Sequence, residues 1–365
     1  MPATTFEYES GATAESDELG ESGGTVDAVV IGGGAAGLNG ALMLARSRRS
    51  VVVVDGGTPR NAPADGVHGL LGLEGVPPMD LLGRGRDEVR RYGGRVVVGH
   101  VVSAVPAGPS AEGDPRFKVT LSDGRAVRAR RLLVATGLRD VLPDLPGLAQ
   151  HWGHGLVHCP YCHGWEVRDE PVGVLAVGPA SVHHALLFRQ LTDDLVYFAR
   201  GAGPDQDTGL DEETRARFAA RGIRVVDAPV AAVESTRDGR IAGVRLVDGQ
   251  TVARRVLAVA TGMRARTEGL AGLNLPMQDL PGAMGRHFAT GVAGATQVPG
   301  VWVAGNATDP AAQVGASAAA GALAGARINA DLVTADTDAA LAAARYGSVD
   351  RVSAGPSVTR RAGRL

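Results

Sequence analysis

The chain has 365 residues, 44% of them hydrophobic, with 37 Lys and Arg against 39 Asp and Glu and a formal net charge of −2. This size predicts two domains with separate cores, and the balanced charge excludes a nucleic-acid partner or an anionic membrane surface. Residues 1–24 lack a basic start and an apolar run, and no stretch has the composition of a membrane span. We expect a disordered lead-in, no secretory signal and a cytoplasmic location.

The first ordered segment has the pattern of a β-strand, a glycine turn and a helix. Residues 26–31 are apolar apart from Asp27, residues 38–45 have helical spacing, and residues 51–54 form a second apolar run. Between them stands a G-x-G-x-x-G fingerprint at Gly32, Gly34 and Gly37, and Asp55 follows the second run. This arrangement predicts a dinucleotide site, with the pyrophosphate on the helix N-terminus and the Asp55 carboxylate on a ribose hydroxyl.

Two segments of the chain are near-copies of each other. Residues 119–137 read VTLSDGRAVRARRLLVATG, and residues 244–262 read VRLVDGQTVARRVLAVATG. Each copy predicts an alternating strand, an Asp-Gly turn, a return strand and an apolar strand that ends in Ala-Thr-Gly. The duplication predicts two nucleotide-binding domains in an α/β fold.

The second domain has a degenerate phosphate loop. A strand predicted at 172–177 leads into Gly178, but a fingerprint placed on Ala176, Gly178 and Ser181 retains only the middle glycine. Pro179 also removes a backbone N–H where phosphate oxygens need donors. After the strand predicted at 195–198, only Arg200 could meet a 2′-phosphate, and a single surface arginine is more often solvated. We expect this domain to keep its fold without binding a nicotinamide cofactor.

The only two cysteines form a C-x-x-C pair, Cys159 and Cys162. Such a pair is a redox dithiol, half of a zinc site, or two inert core thiols. Nearby histidines, at 151, 154, 158 and 163, keep zinc open, although no second cysteine pair exists. Pro160 at a helix N1 position would place the Cys159 thiol where helix N–H groups favour the thiolate. The flavin-type fingerprint supplies an electron acceptor and favours the redox interpretation.

The C-terminal block is predicted as a strand at 301–304, then Gly305 and Asn306, then a helix of small residues at 313–330. This helix could present its N-terminus to a flavin, pack closely on a sheet, or do both. Residues 346–365 contain four arginines among small residues and are predicted as a solvated tail. We expect Trp165 in the core, and Tyr161 either in the core or at a substrate entrance.

Taken together, the Gly32–Gly37 loop, the C-x-x-C between the two repeats and Gly305-Asn306 resemble the low-molecular-weight thioredoxin reductase family over about residues 26–335. HCPYCHGWEV at 158–167 and PRNAP at 59–63 more closely resemble the dithiol oxidases of disulfide natural products, those of gliotoxin, holomycin and romidepsin. The resemblance implies an α/β fold with two Rossmann-like, three-layer domains, bound FAD and a homodimer. Its expected division is 25–141 and 263–335 for the FAD domain, 142–262 for the degenerate NAD(P)H-type domain with the dithiol, and 336–365 for a helix end and flexible tail.

The same resemblance implies the site residues. Cys162 is the sulfur nearer the flavin, and Cys159 exchanges with substrate. Adjacency to the two thiols makes His158 and His163 the candidates for proton transfer, and no metal is expected. The implied flavin contacts are Gly32, Gly33, Gly34, Ala35, Ala36, Gly37, Asp55, Arg60, Asn61, Val102, Thr136, Gly137, Gly305, Asn306, Gln313 and Val314. The chain departs from the reductases at His163, where they have an acid, and at Asn306, where the family has an aspartate.

The implied reaction is oxidation of a small-molecule dithiol to an intramolecular disulfide, with oxygen taking the electrons and leaving as hydrogen peroxide. Two alternatives stay open. One is an NAD(P)H-dependent reductase of a thioredoxin-like protein or small disulfide, which would use Arg200 and the altered second loop. The other is a flavoprotein redox sensor that binds a partner without turnover.

Overall fold

The computed structural model describes residues 24–108, 114–200 and 210–353. In chain order, the strands of these residues are β1 (Thr25–Ile31), β2 (Val51–Asp55), β3 (Arg95–Val98), β4 (Val101–Pro106), β5 (Phe117–Leu121), β6 (Ala126–Val134), β7 (Leu138–Val141), β8 (Leu156–Val157), β9 (Val172–Leu175), β10 (Leu195–Phe198), β11 (Arg224–Val226), β12 (Val230–Ser235), β13 (Ile241–Leu246), β14 (Thr251–Ala253), β15 (Val256–Val259), β16 (Gly262–Ala265), β17 (Met277–Asp279), β18 (Gly285–Phe288) and β19 (Val301–Val303). Their α-helices are α1 (Ala35–Arg46), α2 (Pro78–Arg91), α3 (Pro160–His163), α4 (Ala180–Phe188), α5 (Glu212–Ala220) and α6 (Val314–Ser353).

The first unit, the described residues outside 142–261, is built on a sheet of order β3-β2-β1-β6-β5-β4, and β19 also pairs with β6. Strands β1, β2, β3, β6 and β19 run parallel, whereas β4 and β5 form an antiparallel extension. The parallel strands are apolar because both of their faces are covered. Helices α1 and α6 pack on one face at small residues: a Cβ on Gly321 would lie 1.9 Å from the carbonyl oxygen of Ala36.

The second unit, residues 142–200 and 210–261, contains a five-stranded parallel sheet of order β11-β10-β9-β15-β8. Its inner strands are fully buried, and helices α4 and α5 bring Phe188 and Phe218 into the core on one side. A three-stranded antiparallel sheet, β12-β13-β14, lies on the other side. This strand and helix order is that of a second nucleotide-binding unit.

Two strands connect the units side by side. Strand β7 leaves the first unit, β16 returns to it, and the two pair antiparallel with Val141 opposite Gly262 and Leu138 opposite Ala265. Strands β17 and β18 extend this pair into a small four-stranded sheet. The Cys159–Cys162 pair therefore lies on a unit whose chain enters and leaves through these two paired strands.

The duplicated segments do not fold identically. In the second copy the return strand and the apolar strand are separate, β14 and β15, and belong to different sheets. In the first copy the prediction of two strands is wrong, because they form one strand, β6, that pairs with β5 and also with β1. The second copy is interrupted at Arg254, whose buried side chain turns to the Asp194 carboxylate at 2.6 Å.

The helix predicted for 313–330 is longer than expected and continues to Ser353. Residues 346–353 are therefore helical, and the prediction of a tail that starts at 346 is wrong at its beginning. The Ala-rich sequence at 335–345 explains the extension, because alanine has the highest helix propensity. The predicted lead-in, apart from Gly24, and the last part of the predicted tail lie outside the described residues.

Within the described residues, no helix combines the length and the apolar character needed to cross a bilayer. The same part of the chain contains no group of three or more His, Cys, Asp or Glu side chains arranged to hold a metal ion.

Candidate active site

A cavity of about 680 Å³ lies between the two units. Its volume falls in the range of roughly 300–1,000 Å³ that is typical of cofactor and ligand sites. Most of the predicted site residues line it: Gly32, Gly33, Gly34, Ala35, Ala36, Asp55, Arg60, Asn61, Thr136, Gly137, His158, Cys159, Cys162, His163, Asn306, Gln313 and Val314. The dithiol and the glycine fingerprint, separate in sequence, therefore share one cavity.

Three predicted flavin contacts do not line this cavity. Gly37 lies beneath the loop, where a Cβ would come 1.8 Å from the carbonyl oxygen of Gly32. Gly305 has a φ of +74° and packs against Ala36, whose Cβ would be 2.7 Å from an added Cβ. These two glycines permit close packing behind the cavity. Val102, on β4, is 54% exposed and lies away from the cavity, so the prediction that it contacts the flavin is not supported by its position.

The first glycine loop has the geometry of a phosphate cradle. Gly32 has a φ of +115°, and a Cβ there would lie 2.3 Å from the carbonyl oxygen of Ala135. Helix α1 starts at Ala35 with Gly34 as its N-cap, and a Cβ on Gly34 would meet nothing within 4 Å. The N–H groups of the first helical turn have no intrahelical partner. They face the cavity at a helix end that favours an anion.

The carboxylate of Asp55 lies at the end of β2 against this loop. A Cβ on Gly33 would be 2.2 Å from its Cγ, so the glycine is required for the contact. The backbone N–H of Gly57 and the Nε of Arg86 donate to the carboxylate at 2.9 Å each. Arg86 was not identified from the sequence, and it compensates the buried charge of Asp55.

The start of α6 forms the opposite wall of the cavity. The Asn306 amide nitrogen donates to the carbonyl oxygens of Asp309 at 3.0 Å and Ala312 at 2.7 Å, which braces the turn before the helix. Ser317, which sequence reasoning missed, lines the cavity, and its buried Oγ has no hydrogen-bond partner in the described chain. A buried hydroxyl without a partner carries a free-energy cost that a polar ligand group would remove. The open Gly34 and the unpartnered Ser317 hydroxyl fit a bound dinucleotide.

The dithiol occupies the start of the short helix α3. Cys159 is the N-cap and Pro160 the first helical residue, as predicted, and both thiols are unlinked and half-buried. The pKa of Cys159 is lowered to about 6, chiefly by the hydrogen bond with the Cys162 thiol, and further by two N–H groups of the helix and the Gln313 side chain. The pKa of Cys162 is raised, because the Cys159 thiolate and burial both oppose a second negative charge. The pair therefore carries one negative charge, on Cys159, at neutral pH.

The two histidines beside the dithiol have different surroundings. Nδ1 of His158 lies 3.0 Å from the carbonyl oxygen of Val259 and 3.2 Å from the N–H of Thr261. His163 has two buried ring nitrogens, and neither has a hydrogen-bond partner among the described residues. Burial lowers the pKa of both histidines, so they are neutral at pH 7. His184, which the sequence did not single out, donates from Nε2 to the carbonyl oxygen of His158.

A buried ion pair joins the first unit to the connecting strands. Nε and Nη2 of Arg60 donate to the two carboxylate oxygens of Asp140, each at 2.6 Å. The Thr261 hydroxyl donates to the same carboxylate at 2.6 Å. Burial alone would raise the pKa of Asp140, but these hydrogen bonds and the charge of Arg60 outweigh it and lower the pKa. Asp140 and Thr261 were not identified from the sequence.

The structure also shows the surroundings of the two aromatic residues near the dithiol and of the two remaining histidines. Trp165 is 67% exposed, with the Arg168 guanidinium 4.2 Å from its ring centroid, so the prediction of a core tryptophan is wrong. Tyr161 is also exposed and lines the cavity, which agrees with a place at its entrance. His151 is buried away from the cavity, 2.9 Å from the Ser235 hydroxyl, and His154 does not line the cavity either.

The second glycine loop is closed by its own side chain. Helix α4 starts at Ala180 with Pro179 as N-cap, a residue that has no N–H to donate. The Ser181 hydroxyl is fully buried and accepts the N–H of Val177 at 3.0 Å. A donor that could have faced a phosphate is therefore already bound inside the loop. Arg200 is exposed at the end of β10.

Comparisons with known proteins place these features in context. A family model described as pyridine nucleotide-disulphide oxidoreductase matches residues 26–325. The thioredoxin reductase tcpT of Claviceps purpurea (strain 20.1) is 33% identical over 253 residues, which are 68% of this chain and 77% of tcpT. The thioredoxin reductase sirT of Leptosphaeria maculans is 32% identical over 235 residues, which are 61% of this chain and 70% of sirT.

Two solved structures extend the comparison to the fold. The crystal structure of HlmI is 42% identical, with a TM-score of 0.80, over 89% of this chain and 98% of HlmI. The structure of an oxidoreductase from Agrobacterium tumefaciens is 31% identical, with a TM-score of 0.76, over 85% of this chain and 99% of that one. The predicted α/β fold with two nucleotide-binding units is confirmed by these matches.

Proposed function

Because this chain belongs to the pyridine nucleotide-disulphide oxidoreductase family, we propose that it is an FAD-dependent oxidase of small-molecule dithiols. The resemblance to thioredoxin reductase-like flavoproteins is confirmed by the matches to tcpT and HlmI, and FAD is the cofactor of this family. One observation carries the proposal: Cys159 and Cys162 line the same cavity as the phosphate-cradling loop at Gly32–Gly37. The dithiol and the flavin site thus need no intermediate carrier between them.

The residues that would hold FAD are those whose backbone or side chains face the cavity. The first turn of α1 would bind the pyrophosphate, and Asp55 a ribose hydroxyl. Ser317 and the start of α6 would meet the rest of the cofactor. When bound, FAD supplies the acceptor for the two electrons of the Cys159–Cys162 dithiol and passes them with two protons to oxygen, which leaves as hydrogen peroxide.

The two cysteines exchange sulfurs with the substrate in two steps. A substrate thiolate attacks Sγ of Cys159 in the enzyme disulfide, which forms a mixed disulfide and releases Cys162 as a thiolate. The second substrate thiolate then attacks the substrate sulfur of that mixed disulfide, so the substrate disulfide forms and Cys159 leaves. A thiolate of low pKa leaves faster, and the lowered pKa of Cys159, about 6, supports its assignment to this position. The substrate loses two electrons and two protons, and the enzyme disulfide gains the electrons.

His163 is the residue that we assign to proton transfer. It follows Cys162 directly, it lines the cavity, and its ring nitrogens are not bonded to any described residue. Its lowered pKa keeps it neutral, so it can accept a proton from a substrate thiol and return one to the Cys162 thiolate. His158 is engaged through Nδ1, which suits a positioning role better.

The alternative of an NAD(P)H-dependent reductase is disfavoured by the second loop. Ala176 and Ser181 stand where two of the three fingerprint glycines would be, Pro179 has no N–H to donate, and Arg200 is the only Lys or Arg in the sequence between β10 and α5. The proposal also includes a homodimer and oxygen as the acceptor, as the resemblance implies, and the cytoplasmic location expected from the sequence.

Anaerobic spectroscopy tests the function. We expect a dithiol such as dithiothreitol to bleach the flavin absorbance rapidly and NADPH to leave it nearly unchanged. Readmission of oxygen should restore the colour and yield one hydrogen peroxide per dithiol oxidised. Bleaching by NADPH at catalytic rates would instead establish the reductase, and bleaching by dithiol without oxygen consumption would favour the sensor.

A further inference from the structure

We propose that Asp140 is a positioning residue for the dithiol oxidation proposed above, because it ties the flavin-side loop, both connecting strands and His158 into one network. The network contains Arg60 on the loop after β2, Asp140 on β7, Thr261 just before β16, and His158 just before Cys159. Sequence reasoning assigned separate roles to Arg60 and His158 and none to Asp140 and Thr261, and only the fold brings the four residues together.

The first link joins the loop after β2 to the connecting strand β7 at a largely buried position. The Asp140 side chain is 5% exposed and that of Arg60 is 27% exposed, and two hydrogen bonds of 2.6 Å fix the planes of the two groups relative to each other. A bidentate pair of this kind is strong and geometrically specific. Removing one partner of a buried pair leaves the other charge uncompensated. The pair therefore resists any change of angle between the loop after β2 and strand β7.

The second link crosses from one connecting strand to the other. Thr261 is fully buried, and its single hydroxyl proton is committed to the Asp140 carboxylate at 2.6 Å. Toward His158 the hydroxyl can then only accept, and its oxygen lies 3.4 Å from Nδ1. The Thr261 backbone N–H lies 3.2 Å from the same nitrogen and can donate to it only when Nδ1 carries no proton, whereas the Val259 carbonyl and the Thr261 hydroxyl oxygen can accept only when it does. Nδ1 therefore has a partner on this segment in either tautomer. The carboxylate thus fixes the rotamer of Thr261, and Thr261 together with Val259 fixes the ring of His158.

The third link reaches the dithiol. His158 immediately precedes Cys159, and its carbonyl oxygen is held by the imidazole of His184 on helix α4. The residue before the N-cap sulfur is therefore fixed at its ring by the connecting strands and at its carbonyl by the second unit. A displacement of about 1 Å at a reacting group can cost roughly 100-fold in rate. Loss of the network should consequently slow sulfur and electron transfer without removing any reacting atom.

The network also has an electrostatic signature that a purely structural role would not produce. At His158 the charge of Arg60 lowers the pKa and the charge of Asp140 raises it, and at Cys162 the charge of Arg60 lowers the pKa. The titratable and charged groups that face His158 are Arg60, Asp140, His163 and His184, and those that face Cys162 are Cys159 and Arg60. In Asp140→Asn the effect of Arg60 is no longer opposed, so the titration of His158 must move to lower pH.

Two measurements test the proposal. In the first, imidazole NMR signals follow His158 from pH 4 to 8 in wild type, Asp140→Asn and the control Asp227→Asn, which removes a carboxylate paired with Arg215 outside the cavity. We expect a shift to lower pH in Asp140→Asn alone. An unchanged His158 titration in folded Asp140→Asn would overturn the proposal.

The second measurement keeps both buried charges in place, in case Asp140→Asn does not fold. Anaerobic bleaching of the flavin by dithiothreitol is followed in Thr261→Val and Thr261→Ser. Thr261→Val should be about tenfold slower than wild type and Thr261→Ser within about twofold of it, because only serine restores the hydroxyl. Equal rates for the two variants would overturn the proposal. Wild-type flavin that no dithiol bleaches would overturn the proposed function itself, whereas the NMR titration does not depend on turnover.

Discussion

The two glycine loops of this protein occupy equivalent places in two similar units, yet only the first is built to receive a phosphate. At Gly32 and Gly37 a Cβ would collide with backbone, and at Gly34 it would point into open space. In the second loop, Pro179 caps helix α4 and the Ser181 hydroxyl takes the N–H of Val177. The strand, turn and helix are therefore the same in both units because this framework depends on apolar strands, whereas the loops differ in the few backbone N–H groups that they leave open to a ligand.

What the second unit retains is the dithiol, and its removal should give the largest effect. We expect Cys159→Ser to lower dithiol-dependent oxygen consumption by at least about 10³-fold, since without Cys159 neither the enzyme disulfide nor the mixed disulfide with substrate can form. The flavin should remain bound, because its cradle lies in the first unit. Absorbance at full occupancy and oxygen uptake measure the two properties separately.

Cys162→Ser provides the matched variant for the roles of the two sulfurs. In this variant the Cys159 thiolate should attack an added aromatic disulfide such as DTNB, releasing one thionitrobenzoate and keeping the other as a mixed disulfide on Cys159 that mass spectrometry can locate. An adduct that forms only on Cys162, in the Cys159→Ser protein, would reverse the assignment.

The next largest effect is expected on FAD affinity, when the same substitution is made in each of the two glycine loops. In Gly34→Asp a carboxylate enters open space at the phosphate cradle, so we expect FAD affinity to fall about 100-fold through charge repulsion while the fold is kept. Gly178→Asp is the control at the equivalent place, where an added Cβ would meet only the Met284 sulfur at 3.6 Å. It should leave FAD affinity within about twofold of wild type. Equal losses in both variants would mean that the loops do not differ as described.

A smaller effect concerns the charge of the dithiol. Because the pKa of Cys159 is lowered to about 6, its thiolate is populated above that pH and disappears as the pH falls through it. Alkylation of the reduced enzyme by iodoacetamide should therefore reach half its maximal rate near pH 6. Gln313→Leu should move this midpoint upward, because the Gln313 side chain stabilises the thiolate. A wild-type midpoint above pH 8 would contradict the assigned thiolate.

The smallest effect comes from an attempt to rebuild the second loop. Pro179→Gly combined with Ser181→Gly returns one N–H donor and frees that of Val177, and each new hydrogen bond at this loop contributes about 0.7 kcal/mol, or about 1.4 kcal/mol together. We expect NADPH binding by calorimetry to improve about tenfold at most, from an affinity too weak for turnover. Tight NADPH binding by the wild type would show that the loop is not degenerate.

The features predicted best from the sequence are those determined by residues that are close together along the chain. The loop at Gly32–Gly37, the strand before it and the helix after it follow from local pattern, as does Pro160 at the first position of α3. Network residues could not be found in this way, since Arg60 and Thr261 are 80 and 121 positions from Asp140. The duplication did hold one usable signal: the second Ala-Thr-Gly contains Thr261, and only the first was considered as part of the site.

Burial was predicted less well than secondary structure. Trp165 was expected in the core because large aromatic residues are usually buried, but it lies at the surface beneath the Arg168 guanidinium. The four-residue helix α3 offers no periodic pattern from which an inner and an outer face could be assigned. The length of α6 was underestimated because its last part is helical through the high helix propensity of alanine, which produces no periodic pattern of hydrophobic residues.

The paired strands β7 and β16 have a consequence for how such a protein can be assembled. Val141 and Gly262 are opposite each other, so residues 142–261 begin and end at adjacent positions. None of their strands belongs to the sheet that holds β1 and β6. An insertion whose ends are neighbours leaves the host topology intact. The dithiol-bearing segment thus enters and leaves the host at a single junction, so exchanging it for another segment would break no strand pairing of the sheet that holds β1 and β6.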